Sequence, residues 1–198
     1  MRTIEEAALG ASTCTRCRLS QGRTQVVYGV GDPNADLMFI GEGPGFHEDK
    51  QGEPFVGPAG QLLNQVLGEI GLRREQVYIN NVVMCRPPGN RDPLPDEIEA
   101  CKPWLDERIE LIDPSVVVTL GNWATRFVLG PRVSISRVRG QRFPWNGRTV
   151  IPTFHPAAIL HGGGQASRQM EALRSDFREV SRALAERPEP VEEQLGLF

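Results

Sequence analysis

Four short runs rich in apolar residues most constrain how this 198-residue chain can fold. They occupy residues 36–40, 77–83, 115–120 and 149–154. Segments with helical spacing of apolar residues lie before, between and after them: 1–11, 59–70, 95–112, 123–129 and 168–186. Such alternation favours a parallel sheet with helices on both faces. We therefore predict one α/β domain over residues 1–185, with a central, mostly parallel sheet of four strands.

The residues that follow these strands indicate where a ligand binds. Glu42, Asn81, Gly121 and His155 each lie at or just after the carboxyl end of a predicted strand. In open α/β sheets ligands bind at that edge. We therefore expect these residues to meet in one site.

Charge is distributed unevenly along the chain. The formal net charge is -3, yet the stretch between Asp113 and Glu171 contains seven arginines and no Asp or Glu. A local excess of positive charge favours a surface that faces the phosphates of a nucleic acid. An arginine-rich composition explains arginine in place of lysine, but not the missing acids.

The chain has no apolar run of transmembrane length and no signal-peptide core. We therefore expect a cytoplasmic protein without a membrane partner, and we also expect a monomer. In that compartment four cysteines favour a metal site over disulfides. Cys14 and Cys17 form a chelating Cys-x-x-Cys pair, and Cys85 and Cys101 lie far along the chain. Four thiolates suit zinc or an iron–sulfur cluster, and spacing alone leaves both open, as well as four unrelated buried thiols.

Four separated motifs give a more specific indication. They are the turn 41–45 (GEGPG), the loop 52–57 (GEPFVG), Asn81 four residues before Cys85-Arg-Pro-Pro, and the segment 154–157 (FHPA). Together, from about Cys14 to Ala158, they resemble family 4 uracil-DNA glycosylases. The resemblance implies a uracil-DNA glycosylase-like fold and a monofunctional enzyme that flips uracil out of DNA, hydrolyses its N-glycosidic bond and leaves an abasic site. It also implies a four-iron, four-sulfur cluster held by the four cysteines, with zinc as the alternative.

Three residues in these motifs suit that reaction. The amide of Asn81 is complementary to N3–H and O4 of uracil, while cytosine presents the opposite pattern. Phe55 lies in a loop where its ring can stack on a flipped base. An imidazole donor from His155 at O2 would stabilise the anionic leaving base.

The group that orients water is less defined. In the best-understood relatives an aspartate of the first motif does this, and Gly43 occupies that place here. We predict Glu42 for the role, with Glu48 as the second candidate. The backbone amides of Gly41 and Gly43 are expected to contact the base, since glycine permits close approach.

Two further segments are expected to contact DNA or a protein. By resemblance, Ile159 or Leu160 is an apolar wedge that enters the duplex. Residues 186–198 form a charged, Pro-rich tail whose last five residues resemble the peptide by which bacterial repair proteins dock on the sliding clamp. The clamp-binding residues would be Gln194, Leu195, Leu197 and Phe198.

Two alternatives to an enzyme remain at this point. One is a protein that binds uracil or single-stranded DNA without turnover, which the glycine at position 43 would allow. The other is a structural partner of the replication machinery that acts through its tail. A His155 substitution separates the first from an enzyme, since in an enzyme it should abolish release while sparing much of the binding. The second alternative predicts that Asn81 and Phe55 are dispensable.

Overall fold

The four apolar runs form the centre of one sheet in the computed structural model, which describes residues 2–186 except for the side chain of Gln165. The central strands are β2 (Leu37–Gly41), β3 (Tyr78–Asn81), β4 (Val116–Leu120) and β6 (Arg148–Thr153). The pairs β2 with β3, β2 with β4, and β4 with β6 are all parallel. Every position of β2, β3 and β4 is buried, as expected for parallel strands covered on both faces. The α/β class and its parallel centre are confirmed.

The sheet has six strands where the sequence predicted four. β1 (Val30–Gly31) pairs antiparallel with β3, and β5 (Phe143–Trp145) pairs antiparallel with β6. The order across the sheet is β1-β3-β2-β4-β6-β5. Neither edge strand has an apolar run long enough to identify it, because β1 spans 2 residues and β5 contains Pro144.

Eight helices of the described chain surround this sheet. They are α1 (Ile4–Ser12), α2 (Phe46–Gln51), α3 (Pro58–Glu69), α4 (Pro95–Ile112), α5 (Gly121–Leu129), α6 (Ile135–Val138), α7 (Pro156–His161) and α8 (Arg168–Ala185). Apolar residues of α1, α4 and α5 pack on the sheet face that contains Met38 and Ile40. Those of α3, α7 and α8 pack on the opposite face, with Leu37 and Phe39. The alternation of faces along β2 explains why its sequence reads as continuously apolar.

Local signals set where several helices begin. The side chain of Thr3 accepts from the backbone N–H of Glu6 and caps α1, and Ser167 caps α8 in the same way at Met170. Proline stands in the first turn of α3, α4 and α7, where its missing N–H is not needed. The short connections that result place the carboxyl ends of the central strands side by side.

None of the helices within residues 2–186 is long and apolar enough to cross a membrane. The predicted clamp peptide, with Gln194, Leu195, Leu197 and Phe198, lies outside the described residues.

Candidate active site

A pocket of about 350 Å³ lies at the carboxyl edge of the central strands. The structure brings six of the predicted site residues to its wall: Glu42, Gly43, Glu48, Phe55, Asn81 and His155. They come from the ends of β2, β3 and β6, from α2 and from the loop before α3. The edge of the sheet indicated by the sequence is therefore where these side chains converge.

Gly41 permits the close packing at the base of this pocket. A Cβ atom at this position would overlap Oδ1 of Asn81 and lie 2.6 Å from Cζ of Phe55. Any larger residue would displace one of the two side chains. Gly41 therefore acts by leaving room for Asn81 and Phe55, in addition to any backbone contact that it makes.

Asn81 ends β3 and is 2% exposed. Its Oδ1 is buried and has no hydrogen-bond partner among the described residues. An unpaired buried acceptor is unfavourable by about 1–3 kcal/mol, so such an atom is typical of a site that completes its bonding with a ligand. The backbone of Asn81 is held from behind, because Nη2 of the buried Arg108 donates to its carbonyl at 3.2 Å.

Phe55 is 6% exposed and packs against His155, with ring centroids 5.5 Å apart and planes inclined by 29°. Its φ angle of 54° lies in the left-handed region, which a bulky residue rarely adopts. Arg74 holds the loop in this conformation by donating to the carbonyls of Pro54 and Phe55. The aromatic ring is therefore a largely buried member of a stacked pair in the pocket wall, where the sequence predicted a loop side chain outside the core.

The carboxylate of Glu48 accepts hydrogen bonds from the same loop. Its Oε1 accepts from the backbone N–H groups of Val56 and Gly57 at 3.0 and 2.9 Å, and its Oε2 accepts from Gly45 at 3.2 Å. Both carboxylate oxygens thus fix the backbone on the two sides of the pocket. This geometry suits a residue that shapes the pocket better than the water-orienting role considered from the sequence.

Glu42 combines burial with an unusual proton affinity. Burial, with a smaller contribution from the negative charge of Asp92, raises the pKa of Glu42 to about 7. A carboxylate with a pKa near neutrality can take a proton from water at physiological pH. Glu42 is therefore the carboxylate in this pocket with the properties of a general base.

His155 caps α7, and its Nδ1 accepts from the backbone N–H of Ala157 at 3.2 Å. Since Nδ1 accepts, the proton of the neutral ring is on Nε2. Burial lowers the pKa of His155 to about 4, against a small opposing effect of Glu48. The imidazole is therefore neutral at pH 7 and presents a single N–H donor.

The two wedge candidates occupy different environments. Ile159 is fully buried in the core against α3 and α8, whereas Leu160 is 41% exposed. In this structure Leu160 is the one of the two that can reach DNA, and Ile159 is a core residue. His161, which follows them, lines the pocket, and the sequence had not indicated it as a site residue.

None of the four cysteines is in a disulfide; Cys101 belongs to α4, and all four belong to or pack against the apolar cluster between α1, α4 and the sheet. Burial raises the pKa of the Cys85 thiol, and the nearby Cys17 and Cys14 add to this effect. Two donors reach the sulfur atoms at 3.3 Å: Nη1 of Arg23 to Cys85, and Nε1 of Trp104 to Cys14. Within residues 2–186, no three His, Cys, Asp or Glu side chains converge closely enough to bind one metal ion.

The arginine-rich stretch is only partly available to a phosphate. Three of its seven arginines are ion-paired: Arg139 with Asp176, Arg142 with Glu179 and Glu186, and Arg148 with Asp113. The partners come from outside the stretch, which is why the sequence count overestimated the local charge. Two residues that position the site, Arg74 and Arg108, were not indicated by the sequence, because their partners there are backbone carbonyls.

Comparisons with known proteins match this chain to one family. The family model described as the uracil DNA glycosylase superfamily matches residues 28–178. A type-4 uracil-DNA glycosylase of Thermotoga maritima is 50% identical over 159 residues, which cover 79% of this chain and 83% of that protein. One of Sulfurisphaera tokodaii is 44% identical over 189 residues, covering 91% and 84%. A type-5 uracil-DNA glycosylase of Thermus thermophilus is 33% identical over 164 residues, covering 73% and 74%.

Proposed function

The chain belongs to the uracil DNA glycosylase superfamily, and from this premise we propose that the pocket at the carboxyl edge of its sheet is the active site for uracil excision. The protein is a hydrolase of N-glycosyl bonds that excises uracil in DNA repair. Its substrate is uracil-containing DNA. The observation that supports the site most directly is the buried, unpartnered Oδ1 of Asn81.

Asn81 and Phe55 recognise the extruded base. Oδ1 of Asn81 accepts from N3–H of uracil, and the side-chain amide donates to O4. Cytosine has an acceptor at N3 and a donor at C4, so it would oppose both groups and leave them unpaired. Phe55 supports the base by stacking, and its pairing with the His155 ring fixes the plane in which the base lies.

His155 and Glu42 act on the bond. As N1–C1′ breaks, its electron pair leaves with uracil, and Nε2–H of His155 donates a hydrogen bond to the developing charge at O2. The sugar becomes cation-like, and water adds to C1′ while its proton passes to the Glu42 carboxylate. The products are uracil and an abasic site. The lining of the pocket, as far as the chain is described, includes no lysine that could form a Schiff base and cut the strand.

The four cysteines fit a four-iron, four-sulfur cluster better than zinc. Four thiolates suit both groups, and the resemblance of the cysteine pattern to that of family 4 uracil-DNA glycosylases favours the cluster. Arg23 and Trp104 supply N–H groups to thiolate sulfurs, as donors around clusters do. Cys14, Cys17, Cys85 and Cys101 would hold the cluster, which would supply a structural cross-link between the N-terminal segment, the loop after β3, and α4.

Leu160 is the residue we assign to the wedge, because it is exposed next to His161 on the pocket rim. An apolar side chain in the vacated stack compensates for part of the unstacking when uracil leaves the duplex. Replacing Leu160 with alanine should lower excision from duplex DNA more than from a single strand.

The test of the function is uracil release from an end-labelled oligonucleotide with one deoxyuridine, next to a thymidine control. We expect strand cleavage only after heat and alkali, and only with deoxyuridine. His155→Ala should bind the same DNA but release little uracil. A wild-type protein that binds DNA and releases nothing would instead support the binding protein without turnover.

A second interaction concerns the C-terminal peptide, Gln194 with Leu195, Leu197 and Phe198. One glutamine and three large apolar residues at the end of an acidic tail suit insertion into a pocket of the sliding clamp. Pull-down with purified clamp should be lost when residues 194–198 are deleted, while uracil release from free oligonucleotides stays unchanged. Equal capture of the full and truncated chains would contradict this interaction.

A further inference from the structure

An exposed aromatic ring lies beside the active site without a role in it. Phe46 is the first residue of α2 and follows Gly45, which lines the pocket. Half of its side chain is exposed (50%), although phenylalanine usually buries its ring. An isolated exposed apolar residue is ordinary on a protein surface, so its neighbours decide what it does.

Two cations border the Phe46 ring. Cζ of Arg86 lies 5.1 Å from the ring centroid and Nζ of Lys50 lies 5.9 Å from it. Neither makes an ion pair within residues 2–186: Arg86 donates to Asn90 and Lys50 to the hydroxyl of Thr24. By contrast, the nearby Arg18 and Arg91 each form an ion pair with an acidic residue of α4.

This cationic ring surface adjoins the uracil pocket through a second hollow. The hollow has a volume of about 390 Å³ and is lined by Arg86 together with Arg18. It shares Pro87 and Arg91 with the wall of the active-site pocket. A strand that leaves the pocket along this wall would therefore pass Arg86, whose guanidinium group lies against the Phe46 ring.

We propose that Phe46 is a stacking platform for the base next to uracil in single-stranded DNA, and that Arg86 binds a phosphate of the same strand. Unpaired bases offer a free π-face to an aromatic ring, and cations beside it match the backbone charge. In a duplex the neighbouring base stays stacked in the helix, so the platform acts mainly on unpaired substrates. The inference rests on the proposed function, because it takes the pocket to hold the uracil.

Binding measurements test the stacking. The ligand is a single-stranded oligonucleotide with 2′-fluoro-deoxyuridine, whose glycosidic bond resists cleavage because fluorine disfavours the cation-like sugar. Phe46→Ala should raise Kd by roughly tenfold, in the range expected for loss of one base–aromatic stack. Phe46→Trp should retain affinity, whereas Phe46→Leu should behave like alanine, since it keeps apolar area but loses the π-face. Leu9→Ala, a substitution at another exposed apolar residue, serves as the control.

The partner of the ring is identified by removing the neighbouring bases. With abasic analogues on both sides of the uracil, wild type and Phe46→Ala should bind equally. Single abasic analogues on the 5′ or 3′ side then show which neighbour stacks. A Phe46→Ala defect that persists without neighbouring bases, full affinity of Phe46→Leu, or unchanged affinity of Phe46→Ala would each overturn the proposal.

The phosphate contact is tested by salt dependence. Arg86→Gln should reduce the slope of log affinity against log salt by about 0.7 for a single strand. Arg182→Gln is the matched control: this arginine is exposed, and lies near the far end of the 18-residue α8. Equal slopes for the wild type and Arg86→Gln would remove Arg86 from the proposal.

Failure of this inference differs from failure of the proposed function. If the pocket does not act on uracil, wild-type protein releases none from any oligonucleotide with natural deoxyuridine. If only the platform is wrong, wild type releases uracil normally and Phe46→Ala releases it with the same KM on single strands.

Discussion

At the scale of single residues, the pocket is defined by groups that lack a partner or have an unusual proton affinity. Oδ1 of Asn81 has no partner, Glu42 binds its proton tightly and His155 is neutral. Each departs from what a residue of its type does when its only role is to stabilise the fold. Perturbed groups that share one pocket are typical of catalytic sites.

The amide of Asn81 should determine which base is removed. Asn81→Asp replaces the donor to O4 by a second acceptor, so uracil excision should fall roughly ten- to hundredfold, the effect of one unmatched buried group. Release from uracil and cytosine oligonucleotides measures the change in preference. Asn64→Asp, on the exposed side of α3, should leave both rates unaltered. Unchanged uracil release by Asn81→Asp would exclude this residue from base recognition.

The pKa of Glu42 predicts the pH dependence of the reaction. Since the carboxylate form accepts the proton, kcat/KM should rise with pH and level off above an inflection near 7. His155, with its pKa lowered to about 4, stays neutral through this range and does not add to the inflection. Glu42→Gln should be slow and lose the inflection, and a wild-type profile that is flat from about pH 5.5 to 8 would argue against this base.

The same residue should also affect stability, with a defined sign. The ordinary pKa of a glutamate is 4.5, and the pKa of Glu42 in the folded protein is about 7. Between these two pH values, folded Glu42 holds a proton that the unfolded chain has released. The free energy of unfolding therefore falls as pH rises through this window. At pH 8 Glu42→Gln should be more stable than wild type by about 1 kcal/mol, allowing for the partial exposure of the side chain. Denaturant unfolding at pH 5 and pH 8 gives the difference, which should vanish at the lower pH.

At the scale of elements, the turn after β2 controls the spacing of the whole pocket. Gly41→Ala would place a methyl group against Asn81 and Phe55. We expect loss of most uracil release with a folded protein, because one of the two side chains moves out of position. The matched control is Gly68→Ala in α3, where a Cβ meets nothing within 4 Å. That variant should keep full activity and gain about 0.5–1 kcal/mol of stability from helix propensity.

The sequence predicted the elements better than the contacts between them. Apolar periodicity located the central strands and five helices to within a few residues, since burial on both faces leaves a continuous pattern. The edge strands β1 and β5 escaped, because their pairing depends on neighbours rather than on their own short sequences. Ile159 and Leu160 are adjacent in a similar apolar context, and only the packing of α7 on α3 separates the buried one from the exposed one.

In the site too, the sequence predicted which residues come together better than the contacts that they make. Asn81, His155 and Glu42 follow strand ends, so topology alone placed them together. The roles of Glu48, Arg74 and Arg108 depend on hydrogen bonds to backbone atoms distant in sequence, which leave no pattern along the chain. The strained backbone at Phe55 is likewise a consequence of these contacts.

At the scale of the whole molecule, the cysteines lie in three parts of the chain that the sheet itself does not join: the segment after α1, the loop after β3, and α4. Cys101 lies in α4 about two helical turns before Arg108, which donates to the backbone of Asn81. Cys85 follows β3 by four residues, and Cys14 and Cys17 lie after α1. A cluster at these thiols would therefore stabilise the segment behind Asn81, although no cysteine lines the pocket.

This arrangement predicts how loss of the cluster should affect the enzyme. Purified protein should contain iron and sulfide in equal amounts, about four of each per chain, and little zinc. Because binding of a structural metal group adds to folding free energy, chelation of iron or Cys17→Ser should lower Tm, whereas Thr15→Ser between the two cysteines should not. Below the new Tm, uracil release should persist, since the pocket contains no ligand of the cluster. Loss of activity from protein that remains folded would show instead that the cluster acts on the reaction, and stoichiometric zinc would contradict the cluster itself.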